Sequence, residues 1–231
     1  MKIGILVANR EMTEKQLEER RQFLLKNAER GAEFVMIRLE EGPLSIESSL
    51  EHEQAGFCMA LKARELEKKG FQAFIPWCGE DAGLTSVREV TRIPVIGPFQ
   101  ASCSIAFTLG HKFSIVAPMV QQAFMEKKVW ELGLGARLAS IRALGISVLE
   151  VRKNLRKTLP ILERECKKAI KEDGADAIVF SCMALFGLAS PLTKELNAPI
   201  IDPALAALKT AEMVVHLGVT HSKTSYPFPP K

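Results

Sequence analysis

The chain has 231 residues, 47% apolar and 25% charged, with a formal net charge of +4. That suits one large globular domain or two small ones, and it excludes disordered, collagen-like and low-complexity chains. No apolar run reaches the ~18 uncharged residues of a membrane helix. Residues 1–7 read as a strand, not a signal peptide, so a cytoplasmic protein with no membrane partner is expected. Basic residues such as Arg20-Arg21 and Lys167-Lys168 alternate with Glu on helical patterns, as on solvated helix faces. With two Trp and one Tyr there is little to stack on bases, which argues against a nucleic-acid partner.

In chain order, residues 3–8 form a β-rich run, and 14–27 repeat apolar residues at helical spacing (Leu17, Phe23, Leu24). A second strand is predicted over 34–39 and a long helix within 43–69, with Ser45 and Ile46 at its start. Residues 71–77 are nearly continuously apolar, as in a parallel strand covered on both faces. This alternation predicts a layered α/β fold built from βαβ units.

The chain also repeats itself. Gly70 stands eight residues before Cys78, and Gly174 eight before Cys182, with an apolar strand between each pair. Gly-Leu follows five residues after each Cys, at 83–84 and 187–188. Pro94-Val-Ile-Gly-Pro98 matches Pro199-Ile-Ile-Asp-Pro203. Upstream, Arg38 and Arg142 each lie 40 residues before their Cys. The expected organisation is two pseudo-symmetric α/β halves with parallel sheets, 1–98 and 99–204, followed by a tail. The active site is expected in the cleft between the halves.

Five cysteines occur, at 58, 78, 103, 166 and 182, with no zinc-type spacing, and thiols are expected. Cys78 and Cys182 hold equivalent places at strand ends, where open parallel sheets bind ligands. Cys58, Cys103 and Cys166 have no repeat partner and read as packing residues. A following helix would lower each thiol pKa from a free value near ~8.5. Backbone N–H groups of Gly79–Glu80 and Met183–Ala184 would hold a developing oxyanion. Two opposed thiols can invert a carbon stereocentre beside a carbonyl, one removing the proton and the other returning it from the opposite face. Such chemistry requires no metal, flavin or pyridoxal lysine, so no cofactor is expected.

Four segments resemble the aspartate/glutamate/hydantoin racemase superfamily, and most closely its hydantoin–allantoin racemase branch. They are Gly42-Pro-Leu-Ser-Ile-Glu47, Gly70 through Cys78-Gly-Glu-Asp-Ala-Gly-Leu84, Gly174 through Cys182, and Pro199-Ile-Ile-Asp-Pro203 with Ser222-Lys223 and Tyr226-Pro227. The resemblance covers nearly the whole chain. It implies that Cys78 and Cys182 are acid/base thiols acting on a small-molecule substrate, and that Ser45 and Ile46 line the cleft. It implies also that a tail helix over about 204–217 returns to the first half, so that 205–231 belongs with 1–98. Family members are often homo-oligomers.

Amino-acid racemases of the superfamily follow each Cys with Asn-Thr or Thr. Here Gly79-Glu80 and Met183-Ala184 stand there instead, which argues for a neutral substrate rather than free aspartate or glutamate. The turn after the first strand is reduced to Ala8-Asn9-Arg10, and Pro118 replaces a usual Thr. Asn9 suits either donation to a ring carbonyl or a turn. Ser45 with Glu47 suits either the cleft or a helix cap. Three readings remain open: a two-thiol racemase of 5-substituted hydantoins or related cyclic amides; a one-thiol decarboxylase or a cis–trans isomerase of an unsaturated diacid; and a non-catalytic two-lobed binding protein.

Overall fold

The computed structural model describes residues 1–119 and 121–230. The chain divides into two compact units, Met1–Pro98 with Ala207–Lys231, and Phe99–Ala206.

In the first unit β1 (Lys2–Val7) lies between β2 (Glu33–Arg38) and β3 (Ala73–Pro76), all parallel. Its central place follows from its sequence: five of its six residues are buried, so both sheet faces are covered. A parallel bridge from Phe74 to Val95 extends the sheet beyond β3. Helix α1 (Glu14–Asn27) starts at a capping box, in which the Thr13 hydroxyl accepts from the Gln16 N–H and the Gln16 side chain accepts from the Thr13 N–H. Helix α2 (Ser49–Leu66) starts at Ser48, whose hydroxyl accepts from the Glu51 N–H. The Glu51 carboxylate in turn accepts from the Glu47 N–H at 2.8 Å. This corrects the sequence reading of Ser45: the cap lies three residues on, and Ser45 and Ile46 sit in the loop before the helix.

Short helix α3 (Leu84–Val90) follows β3. Helix α4 (Pro98–Leu109) then opens the second unit, whose sheet runs in the order β5 (Leu138–Ala143), β4 (Phe113–Ala117), β6 (Ala177–Phe180), β7 (Ile200–Ile201), again parallel. Every residue of β4 and β6 is buried. Helices α5 (Gln122–Glu131), α6 (Leu155–Lys171) and α7 (Ala189–Leu196) connect these strands. Helix α8 (Pro203–His216) begins in the second unit and ends in the first. There the buried Glu212 carboxylate accepts from the Glu29 N–H at 2.7 Å and pairs with Lys209 at 2.8 Å.

The tail beyond α8 closes over the end of α3. Lys223 donates to the carbonyls of Arg88 and Glu89 at 2.6 and 3.1 Å, supplying the cation that a helix C-terminus favours. The buried Arg88 guanidinium donates to the Val95 carbonyl and to the Tyr226 hydroxyl. No helix among the described residues is long and apolar enough to cross a membrane.

Candidate active site

The five cysteines are unbonded thiols. Cys78 stands two residues beyond the carboxyl end of β3 and Cys182 two beyond that of β6, and these strands pair with the first strand of their sheets, β1 and β4. Both thiols are nearly buried, with 7% and 8% of their surface exposed.

In the first unit the ends of β1, β2 and β3 point the same way because the strands are parallel. They carry Asn9, the segment 42–48 and Cys78. Gly42 lies directly on the end of β1: a Cβ there would fall on the Ala8 carbonyl. That approach brings Ile46 to the apolar cluster containing Ala8, Cys78 and Ala82. Asn9 forms the turn considered from sequence, its Oδ1 accepting from the Glu11 N–H at 3.0 Å. The residue after the thiol, Gly79, is buried. His52, from α2, reaches the Glu80 carbonyl at 3.3 Å.

The Cys78 thiol is pushed up to about 12 from 9.0, first by burial and then by the Glu80 and Asp81 carboxylates. The Ala82 and Glu80 N–H groups at the sulfur oppose this without offsetting it. The expectation of a thiol lowered by a following helix is therefore corrected for Cys78. Helix α3 starts only at Leu84, and two carboxylates stand in the intervening loop. Burial thus favours the protonated form of Cys78.

In the second unit Pro118 follows β4, and Cys182 starts a 3-10 turn over Met183–Leu185. The Ala184 N–H donates to the Cys182 sulfur at 3.4 Å. Met183 is buried.

The repeat conceals an exchange of carboxylates. Asp202, at the end of β7, caps α8: its Oδ1 accepts from the Ala204 and Leu205 N–H groups at 2.9 and 3.3 Å. Its Oδ2 accepts from the Gly187 N–H at 2.6 Å. The matching position in the first unit is Gly97. A Cβ on Gly97 would lie 2.4 Å from Oδ2 of Asp81. Asp81, three residues past Cys78, thus puts its carboxylate beside the backbone position that carries the Asp202 side chain in the other repeat. Its backbone sits at φ +57°, a conformation Asp tolerates better than most residues. In the sequence both aspartates stand within matched motifs and nothing local sets them apart. The mismatch of Gly97 with Asp202 was the available signal.

A family profile described as Asp/Glu/Hydantoin racemase matches residues 5–211. The hydantoin racemase of Pseudomonas sp. (strain NS671) is 33% identical over 201 residues, which cover 86% of this chain and 81% of that protein. A solved structure of allantoin racemase from Klebsiella pneumoniae matches 100% of this chain and 94% of its own, with a TM-score of 0.93 and 28% identity. Allantoin racemase from Pseudomonas fluorescens matches with a TM-score of 0.92, again at 28% identity, over 100% of this chain and 98% of its own.

Proposed function

We propose that this chain, which belongs to the Asp/Glu/hydantoin racemase family, is a cofactor-independent racemase of 5-substituted hydantoins or closely related cyclic amides, with Cys78 and Cys182 as its two acid/base thiols. The observation that carries this reading is the pair of thiols at one place in both repeats, each just past a strand end with backbone N–H groups at its sulfur. The named substrates of the relatives agree with it, since allantoin is itself a 5-substituted hydantoin.

The chemistry follows from the protonation states. Burial favours the thiol form of Cys78, so in one direction Cys78 is assigned as the acid and Cys182 as the base. Cys182 takes the C5 proton of one enantiomer, a planar enolate forms, and Cys78 returns a proton to the other face. The other enantiomer runs the same path backwards, with the two sulfurs exchanging roles. Each sulfur acts from about 3–3.5 Å. The enolate oxygen needs donors already aimed at it. The backbone N–H groups of Gly79 and Met183 and the Asn9 side-chain amide are assigned that task. Ser45, Ile46 and Pro118 bound the ring.

Glu80 and Asp81 beside Cys78 favour a neutral substrate, because a further carboxylate there would meet like charge.

The test is a substrate comparison with a chelator present. The optical rotation of a single-enantiomer 5-substituted hydantoin, or of allantoin, should decay faster than the enzyme-free blank. L-Aspartate and L-glutamate should keep their rotation. Faster turnover of either free amino acid than of every cyclic amide would refute the substrate class. A reversible stop by chelator would refute the cofactor-free reading.

A further inference from the structure

We infer that Arg152 and Asp202 are positioning residues for the second thiol: together they clamp the 183–187 turn and so hold the Ala184 N–H on the Cys182 sulfur. This rests on the reading of Cys182 as an acid/base thiol.

The turn cannot hold itself. Its internal bonds are Leu185 N–H to the Cys182 carbonyl at 3.0 Å and Phe186 N–H to the Met183 carbonyl at 3.3 Å. A single 3-10 turn is a weak, short-lived unit without outside support.

Support arrives from two distant segments. The Arg152 guanidinium donates to the Ala184 carbonyl at 3.3 Å and to the Phe186 carbonyl at 3.1 Å. It also lies 3.8 Å from the centroid of the Phe186 ring, a cation–π contact with a buried aromatic. Asp202 takes the Gly187 N–H at 2.6 Å. Because a peptide group is planar and trans, its C=O and N–H point in opposite directions. The 184–185 peptide is therefore pinned at both ends, by Arg152 at the oxygen and by the Cys182 carbonyl at the nitrogen. The 186–187 peptide is pinned likewise, by Arg152 and by Asp202.

Both clamps are themselves fixed. Arg152 follows Val151, which is fully buried in the apolar cluster that holds Cys182 and Leu185. The Val151 carbonyl accepts from the buried Thr158 hydroxyl at 2.9 Å. Asp202 is buried and tied to the first turn of α8. Burial raises its carboxyl above the ordinary range, opposed by the Gly187, Leu205 and Ala204 N–H groups and by the charge of Arg152. Removing Arg152 thus loosens the turn at two carbonyls and withdraws a cation from the carboxylate that holds its other end.

The experiment titrates the thiols without substrate. The whole chain is alkylated with iodoacetamide across a pH series, and modification of the Cys182 and Cys78 peptides is read by mass spectrometry in the same digest. In Arg152→Met the Cys182 midpoint should rise by about one pH unit, roughly a tenfold loss of thiolate near neutrality, while the Cys78 midpoint stays. Arg152→Lys, which keeps a donor cation, should restore most of the shift. Asp202→Asn should move Cys182 in the same direction, and it carries the test if Arg152→Met does not fold. An unchanged Cys182 midpoint in a folded variant, or an equal shift at Cys78, would overturn the assignment. Since no substrate takes part, this result and the racemase reading can fail separately.

Discussion

Replacing either Cys78 or Cys182 by serine should lower racemisation by 10²-fold or more while the protein remains folded. A serine hydroxyl is a far weaker acid than a thiol, so it supplies no useful anion near neutral pH. A relay with two proton transfers stops when either partner is lost. The substitution changes one atom at a nearly buried site, and a stability cost of about 1–3 kcal/mol is expected from burying a less well-satisfied hydroxyl. The controls are Cys58→Ser, Cys103→Ser and Cys166→Ser, which should keep turnover per folded molecule. Cys166 is the informative one. Burial first, then Glu165 and Glu163, push it up to about 12, the same value as Cys78. A raised pKa therefore does not mark the catalytic thiol. Cys166 lies inside α6 with no counterpart in the other repeat, whereas Cys78 lies at a strand end. Racemisation rates and melting curves on the five single variants separate the two classes. Near-normal turnover by Cys78→Ser or Cys182→Ser would refute their roles.

Gly83→Ala should destabilise the protein by about 2–5 kcal/mol, a large share of the ~5–15 kcal/mol that holds a typical domain. Two separate penalties add. Gly83 caps α3 with φ +70°, and an L-residue in that region costs about 1–2 kcal/mol. Its Cβ would also lie 2.5 Å from the Gly56 Cα and 2.9 Å from the Gly56 carbonyl oxygen. That neighbour is backbone of α2, so helix and turn must separate, at the ~1–3 kcal/mol typical of overpacking. Because the turn runs on from Cys78, activity should fall further than stability alone requires. Gly31→Ala isolates the first penalty, since Gly31 has φ +84° with nothing within 4 Å of its Cβ. Denaturant midpoints should show Gly83→Ala as clearly the worse of the two. Equal losses would mean that the contact between α2 and the turn does not constrain the Cys78 loop.

Much of this architecture was legible before the structure, because the signals were local. The alternating apolar runs give the strands within a residue or two, and the 14–27 periodicity matches α1. The repeat placed Gly83 and Gly187 in one register for a backbone reason: both take positive φ, +70° and +78°, in the turn after the thiol. What stayed hidden depends on contacts between distant segments. The cap of α2 falls at Ser48 rather than Ser45, with Glu51 three residues on accepting from the Glu47 N–H. Arg152 lies 30 residues before Cys182, in a stretch rich in exposed Lys and Arg, and nothing local sets it apart. The state of Cys78 departs from the sequence expectation because helix α3 starts only at Leu84, leaving Glu80 and Asp81 as the nearer charges. Along α2, Leu50, Phe57 and Leu61 are exposed at 79%, 65% and 44%, while Ala55, Met59, Ala63 and Leu66 form its buried face.

Two-thiol inversion leaves a signature that a single base does not. One enantiomer of a 5-substituted hydantoin is placed in heavy water with the protein, and deuterium at C5 is followed in both enantiomers during the first few per cent of turnover. The thiol that delivers the proton exchanges with solvent before it acts, and the thiol that removed one is a different group on the other face. The product enantiomer should therefore carry deuterium from its first appearance, while the remaining substrate stays protiated. Product that keeps protium, or label entering substrate and product equally from the start, would mean one base serves both faces and would contradict the assignment of Cys78 and Cys182.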